Sequence, residues 1–476
     1  MNGYEVVIGL EVHAELNTES KIYCDCKNAF GLEVNTQVCP ICMGMPGTLP
    51  TLNKKVVEYA IKMGHALNCT INPVSKQDRK NYFYPDLPKA YQISQAEVPL
   101  CQQGHLDILV GGEERTIGIT RIHIEEDAGK LLHDDAFAGS LVDLNRCGVP
   151  LIEIVSEPDL RSPEEAKTYL ETIRSILQYI DISDCKMQEG SIRCDVNVSV
   201  HKPGEPFGTR TEMKNVNSFS AAVRGMEYEM KRQVEVLEAG GTITQETRRW
   251  DDVQGISVSM RSKEDAQDYR YFPEPDLLTI VVDETEIQKW KDQLPELPNV
   301  KLVRYVREFG LPQNEAAVIV DSLEKSRLFD ACADIGGCSP KALFNWIAGD
   351  VSKFMNETGK DISATPLTPS RLVELVSAIK KGTISNAAGK TVFEAILSED
   401  KDPTVIIHEK SLAQNSDTAF LEKLASDVLA SNEKSVDDYK NGKTNALGFL
   451  VGQCMKASQG KANPGLMKEI ILKMLG

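Results

Sequence analysis

The chain has 476 residues, 41% of them hydrophobic and 26% charged, with a formal net charge of −17. It is too long for one ordinary core, so two or three domains are expected, in a composition typical of soluble globular proteins. No apolar run reaches a membrane span, and the negative charge excludes a chain-wide nucleic-acid surface, so neither a membrane nor DNA is an expected partner.

In chain order, the first feature is a strand that begins almost at the N-terminus. It leaves no room for a signal or transit peptide, so the expected compartment is the cytoplasm. Within residues 8–16, Ile8, Leu10, Val12, Ala14 and Leu16 fall on one side, and Glu11, His13 and Glu15 on the other. A half-buried strand with carboxylates and an imidazole on its wet face suits a hard cation with a phosphate. It also suits an ordinary solvated sheet face, so recurrence of the pattern has to decide.

Cys24, Cys26, Cys39 and Cys42 follow, as Cys-x-Cys, twelve residues, then Cys-x-x-Cys, among turn formers. Two close pairs on two loops can converge as four thiolates on one tetrahedral zinc. Disulfides are not expected in a reducing cytoplasm. The remaining cysteines read as small buried hydrophobes.

A helix is expected over residues 53–67, with Val56, Val57, Ala60, Ile61 and Met63 as its apolar side. Residues 78–95 combine four aromatics, two prolines and several charges, which reads as an ordered recognition loop rather than a regular element. In residues 117–127, Arg121, His123 and Glu125 alternate against Ile122 and Ile124, and Glu126 breaks the alternation at a bulge or strand end. Residues 145–159 read as a strand with a loop at each end. Ser162, Pro163 and Glu165 then form the N-cap, first turn and capping box of a helix. Its buried stripe is Ala166, Tyr169, Leu170, Ile173, Ile176, Leu177 and Ile180.

In residues 191–200, Arg193, Asp195, Asn197 and Ser199 line one face and Ile192, Cys194, Val196, Val198 and Val200 the other. In residues 209–215, Arg210, Glu212 and Lys214 again alternate. The fold expected is therefore α+β. Helices, including one over 219–237 ended by Gly240-Gly241, cover one face of an antiparallel sheet, and a polar face stays open for metal and polyphosphate. Residues 268–276 form a second aromatic loop and 294–298 a linker. Short helices punctuated by Pro312, Pro340, Pro369 and Pro403 complete the chain. From Lys440 onward there are six lysines against one acid, Glu469, a basic tail on an acidic protein. Gly442-Lys443-Thr444 lacks the glycine and the strand of a phosphate-binding loop. No cysteine–histidine pair has a glutaminase spacing.

Val-Ile-Gly-Leu-Glu-Val-His-Ala-Glu-Leu at 7–16 and Arg-Ile-His-Ile-Glu-Glu-Asp-Ala-Gly at 121–129 carry a family resemblance, together with residues 80–95, 145–159, 188–200, 209–219 and 268–277. Gly448-Phe-Leu-Val-Gly-Gln-Cys-Met-Lys-Ala-Ser and Lys461-Ala-Asn-Pro extend it to the tail. The chain resembles the B-subunit family of the tRNA-dependent aspartyl/glutamyl amidotransferases, in order over nearly its whole length. The resemblance implies a catalytic cradle domain like the glutamine synthetase fold at residues 1–293, a helical domain at 294–402 and a helical tail domain at 403–476 that contacts tRNA.

It also implies a chemistry. ATP and magnesium serve to phosphorylate the side-chain carboxylate of Glu or Asp misacylated on tRNA(Gln) or tRNA(Asn), and ammonia then displaces phosphate. By the family pattern Glu11, His13, Glu126, Asp195 and Glu212 fall at positions expected around magnesium, with Glu125 as an alternative to Glu126. Arg193, Arg210 and Lys214 are assigned, on spacing alone, to phosphate or transition-state charge. The four cysteines, present in some family members only, imply a structural zinc. The family's amidase (the A-subunit) and its small C-subunit are the implied partners, because nothing in the chain releases ammonia. The competing readings are a non-catalytic zinc-containing tRNA scaffold, which would not need one functional face on four strands, and a stand-alone ligase, which leaves the basic tail unexplained.

Overall fold

The computed structural model describes residues 3–133, 139–214, 216–262, 268–414, 417–458 and 462–475. Asn215 and Lys461, both within stretches that carry the family resemblance, lie outside them. The chain divides into two compact units, Met1–Val303 and Arg304–Gly476.

The first unit is built on a nine-stranded sheet. Its strands, in chain order, are β1 (Glu5–Glu15), β2 (Thr70–Ile71), β3 (Cys101–Val110), β4 (Glu113–Glu126), β5 (Pro150–Ser156), β6 (Ile192–His201), β7 (Thr211–Lys214), β8 (Glu246–Asp251) and β9 (Ile256–Ser262). In space they run β9-β8-β7-β6-β1-β5-β4-β3-β2. The opening strand is thus central, between β5 and β6. All pairs are antiparallel except β7 with β8, which is parallel. The expected purely antiparallel sheet therefore needs correcting. A helix α3 (Phe219–Glu238) connects β7 to β8, and a crossover of that kind brings consecutive strands back parallel.

Period-two alternation decides which face is greasy. Val6, Ile8, Leu10, Val12 and Ala14 of β1 are each at most 3% exposed, while Glu11, His13 and Glu15 are half-buried on the other side. The apolar face packs under α1 (Lys54–Ala66), α2 (Pro163–Tyr179) and α3 in one core. Each fully buried aliphatic side chain there contributes roughly 1.5–3 kcal/mol. Asn53 caps α1 through Lys55 N–H, and Ser162 caps α2 through Glu165 N–H at 3.1 Å. The Glu165 carboxylate reaches back to Arg161 N–H at 2.7 Å, one residue before the cap, so the capping box closes one position earlier than expected.

Glu229 of α3 is fully buried, facing β7 and β9. Its carboxylate accepts from Thr211 Oγ1 at 2.8 Å, Gln233 at 3.0 Å, Arg232 at 2.6 Å and Ser257 Oγ at 3.0 Å. This network fixes the short strand that carries Glu212 and Lys214.

Residues 78–95, expected as an irregular loop, contain two paired strands, Asp78–Asn81 and Tyr91–Ser94, and Phe272–Pro273 adds to the first of them. The cause is Arg79. Its guanidinium bonds Glu274 at 2.6 and 2.8 Å and stacks 4.1 Å from the Tyr91 ring centroid. The cation gathers acids and aromatics across strands, while Pro85 and Pro88 fall in the connecting turn. Both aromatic stretches are thereby pinned together.

The described residues of the second unit are helical, from Gln313–Val320 to Pro464–Leu475. Pro340, Pro369 and Pro403 each occupy the first turn of a helix, where the missing N–H costs nothing. Of the linker expected at 294–298, residues 294–297 fall between helices Glu284–Asp292 and Pro298–Phe309, and Pro298 opens the second. Leu421, Ala425, Leu450, Cys454, Met467 and Ile471 form a separate small core near the end of the chain. Among the described residues no helix is long and apolar enough to cross a membrane.

Candidate active site

Sheet register assembles the site. Glu11 of β1 stands opposite Asp195 of β6, and His13 stands opposite Glu153 of β5, which in turn stands opposite His123 of β4. Glu212 of β7 lies opposite Asn197, one step along from Asp195 on the same face. Two groups result. The ligand atoms of Glu11, Asp195 and Glu212 lie within 4.8 Å of one another, as do those of His13, Glu125 and Glu153. Both open into a polar cavity of about 490 Å³, also lined by Lys80, Lys214, Tyr269 and Tyr271.

The charges in this cavity are not balanced. Burial, and then repulsion from Glu153, Asp195 and Glu212, pushes the Glu11 carboxyl above its ordinary range. Lys214 Nζ lies 2.6 Å from Asp195 and 3.0 Å from Glu212. Burial would lower its pKa, but those acids outweigh it and raise it. His123 is 3% exposed, with Nε2 3.0 Å from Glu153. Burial alone would make it a weaker base, yet Glu153 and Glu125 overcome that and hold it at about 9. Burial would raise Glu153, but His123, His13 and Lys80 keep it well below the carboxylate range. Clustered acids short of cations, with oxygen donors and one imidazole, make a donor set that could hold hard divalent ions.

Of the residues expected here from the sequence, Glu11, His13, Glu125, Asp195, Glu212 and Lys214 come together. Glu126 does not. It follows the strand's alternation to the side of Ile124, is 3% exposed, and its Oε1 accepts from Ile93 N–H at 2.9 Å and pairs with Lys89. Arg193 shares the polar face, but its guanidinium is held by Asp127 at 2.9 Å. Arg210 precedes β7, is exposed, and lines a neighbouring cleft.

Glu153, Lys80, Tyr269 and Tyr271 were not expected in the site, and His123 was noted only for its alternation. Glu153 had a signal, as the lone charge in the otherwise apolar or hydroxylic strand Pro150–Ser156.

The neighbouring cleft, about 420 Å³, shares Glu11 with the first and continues along the same face to Val7, Gly9, Val155, Pro158 and Phe207. Its wall needs Gly208, because a Cβ there would meet the Val200 carbonyl oxygen at 2.2 Å. One end is polar and the other apolar with an exposed aromatic ring, a shape suited to a nucleoside.

The four cysteine sulfurs also lie within 4.8 Å of one another. Cys39 N–H donates to Cys42 Sγ at 3.1 Å. Hydrogen bonds from Cys24 and from that N–H draw the Cys42 thiol down to about 4, while burial and Cys39 push Cys26 up to about 11. One thiolate held by its neighbours' donors is an arrangement that could close on a metal.

A carboxylate-lined sheet face beside a cleft with one polar and one apolar end describes a class, that of enzymes. Comparison with known proteins agrees at that level: residues 6–288 match the family model described as the GatB/GatE catalytic domain, and residues 327–475 match the one described as the GatB domain. The chain belongs to the GatB family. It is 57% identical over 476 residues to the B-subunit of the aspartyl/glutamyl-tRNA(Asn/Gln) amidotransferase of Caldicellulosiruptor bescii, covering 99% of each chain. Identity to the protein of the same name from Thermoanaerobacter pseudethanolicus is also 57%, over 473 residues and 99% of each chain. To that of Carboxydothermus hydrogenoformans it is 52% over 475 residues, covering 99% of this chain and 98% of the other.

Proposed function

We propose that this chain is the activating component of a tRNA-dependent amidotransferase, working in the cytoplasm with an amidase partner (the A-subunit) and a small C-subunit. It uses ATP to phosphorylate the side-chain carboxylate of Glu or Asp misacylated on tRNA(Gln) or tRNA(Asn). A carboxylate oxygen attacks the γ-phosphorus and ADP leaves. Ammonia from the amidase partner then attacks the acyl carbon and phosphate leaves, giving the amide. The observation that carries the reading is the pair of ligand groups on one sheet face, each with a residue of strand β1, flanked by Lys80 and Lys214.

The uncompensated acids fit magnesium, with Glu11, Asp195 and Glu212 holding one ion and His13, Glu125 and Glu153 another. Bound magnesium would neutralise the phosphates and let two anions approach. The chain's own residues do the rest. Lys214 pairs with Asp195 and Glu212 and holds their carboxylates at the cavity. Lys80, 4.8 Å from the Tyr269 ring centroid, brings a further positive charge to the cavity. The adjoining cleft receives the nucleoside on Phe207, with Arg210 at its rim for phosphate. Held by Asp127, Arg193 orders the end of the face instead of meeting phosphate directly.

The architecture we infer is a cradle like the glutamine synthetase fold over residues 1–293, a helical domain over 294–402 and a tRNA-binding tail over 403–476. The separate core of the tail supports the last division. The four cysteines fit a structural zinc: all donors are sulfur, and none is left over for chemistry.

The test uses the assembled enzyme with ammonium in place of glutamine, so that the amidase partner is bypassed. His13→Ala and Glu212→Ala should leave tRNA binding intact and abolish tRNA-dependent ATP cleavage and amide formation, a loss of about 10²-fold or more. A scaffold role requires weaker tRNA binding with normal turnover at saturation, and that result would sink the proposal.

A further inference from the structure

Lys21 is 0% exposed. Burying an ammonium group is costly unless a counter-charge accompanies it. Among the described residues no carboxylate lies within ion-pair distance of Lys21; its Nζ donates to the backbone carbonyl of Gln37 at 2.7 Å. A neutral carbonyl satisfies one proton and none of the charge.

The surroundings point to what does. Lys21 N–H donates to the Cys26 carbonyl at 3.0 Å, so the lysine is fastened to the first cysteine loop. Gln37, which holds the ammonium, leads into Cys39 on the second loop. Gly148 closes the space behind them, and a Cβ there would meet Cys42 Cβ at 3.6 Å and Lys21 Cδ at 3.7 Å, so the lysine stem runs beside Cys42. Lys21 therefore bridges the two cysteine loops, its backbone N–H bonding the first and its ammonium the second.

We propose that Lys21 is the counter-ion of the four-cysteine metal centre, a positioning residue whose charge offsets that of the metal–thiolate group. The inference rests on the reading of those cysteines as a metal site. A dication bound by four thiolates carries net negative charge, and in a dry, low-dielectric setting a nearby fixed cation stabilises it strongly. The dependence is mutual: without metal, Lys21 is a buried charge with no partner. Occupancy of the centre and burial of Lys21 are thus coupled.

The experiment compares the full-length wild type with Lys21→Met and Lys21→Gln, the latter keeping a donor for the Gln37 carbonyl without the charge. Zinc affinity is measured by competition with a chromophoric chelator. Cobalt substitution reports the ligand set through its thiolate charge-transfer bands. Melting is followed for zinc-loaded and zinc-stripped protein. Both variants should show the wild-type cobalt bands, lose zinc at roughly 10- to 100-fold lower chelator concentration, and gain less in melting temperature from zinc than the wild type gains. A lysine with only a packing role would lower loaded and stripped melting alike and leave zinc affinity unchanged, and that outcome overturns the proposal. A wild-type chain that takes up neither zinc nor cobalt overturns the metal-site reading instead, before any variant is measured.

Discussion

Glu153 is the carboxylate on which both imidazoles of the site converge, with His123 Nε2 at 3.0 Å and His13 Nε2 at 3.9 Å. Replacing it by Gln keeps the shape and removes the charge. Glu153→Gln should raise the magnesium concentration for half-maximal, ammonium-dependent amidation by roughly 10- to 100-fold, while tRNA affinity is unchanged; a magnesium titration of the assembled enzyme checks it. Glu126→Gln is the contrast. Because Glu126 ties Ile93 and Lys89 together away from the cavity, its loss should lower the melting temperature more than it changes the magnesium requirement. The sequence carried Glu11, His13, Asp195, Glu212 and Lys214 because period-two alternation is a local property. It could not separate Glu125 from Glu126, since that depends on where the strand ends, nor find Lys80 and Tyr269, which are brought in by Arg79 from stretches far apart in the chain.

At the scale of elements, α2 and α3 hold the apolar face so that the polar one can stay open. Ser162→Ala removes the α2 cap and should cost about 1 kcal/mol, read as a shifted denaturation midpoint. The network around Glu229 matters more, because its loss takes from Arg232 the carboxylate it pairs with. Glu229→Ala should cost about 3 kcal/mol or more and loosen β7. Its pH dependence has a definite sign. Burial would raise the Glu229 pKa, but hydrogen bonds from Arg232, Gln233 and Thr211 outweigh it and depress it below the unfolded value. The stability it supplies is therefore present above the ordinary carboxylate pKa and lost as pH falls through the depressed one. Glu229→Gln should flatten the acid limb of a stability–pH curve and leave the neutral region with the same slope. Helix boundaries, prolines and caps were legible from the sequence, being set by residues within one turn. The parallel pairing of β7 with β8 was not, because it depends on how α3 crosses the sheet. The strands within residues 78–95 were hidden because Glu274, which organises them, lies far along the chain.

At the scale of the molecule, the tail owns a core, formed by Leu421, Leu450, Met467 and their neighbours, that it does not share with the sheet. A chain ending at Ser411 should keep the first unit folded and its metal binding unaltered, yet bind tRNA more weakly at low salt. The deficit should shrink as salt rises, because counterion release carries much of such binding. Equal affinities at low salt would remove the tail from the binding surface. The central position of β1 has a consequence for how the protein is made. Leu10 N–H bonds Ser156 Oγ across 146 residues of chain, and the other neighbour, β6, lies further still. At about 5–20 residues per second, this strand waits on the order of ten seconds for its partners to be made. Throughout that interval it has two open edges, and of the helices that cover its face of Val6, Ile8, Leu10 and Val12 only α1 has been made. The strand that later carries Glu11 and His13 is, during synthesis, the segment of the first unit most exposed to misassociation and most in need of a chaperone.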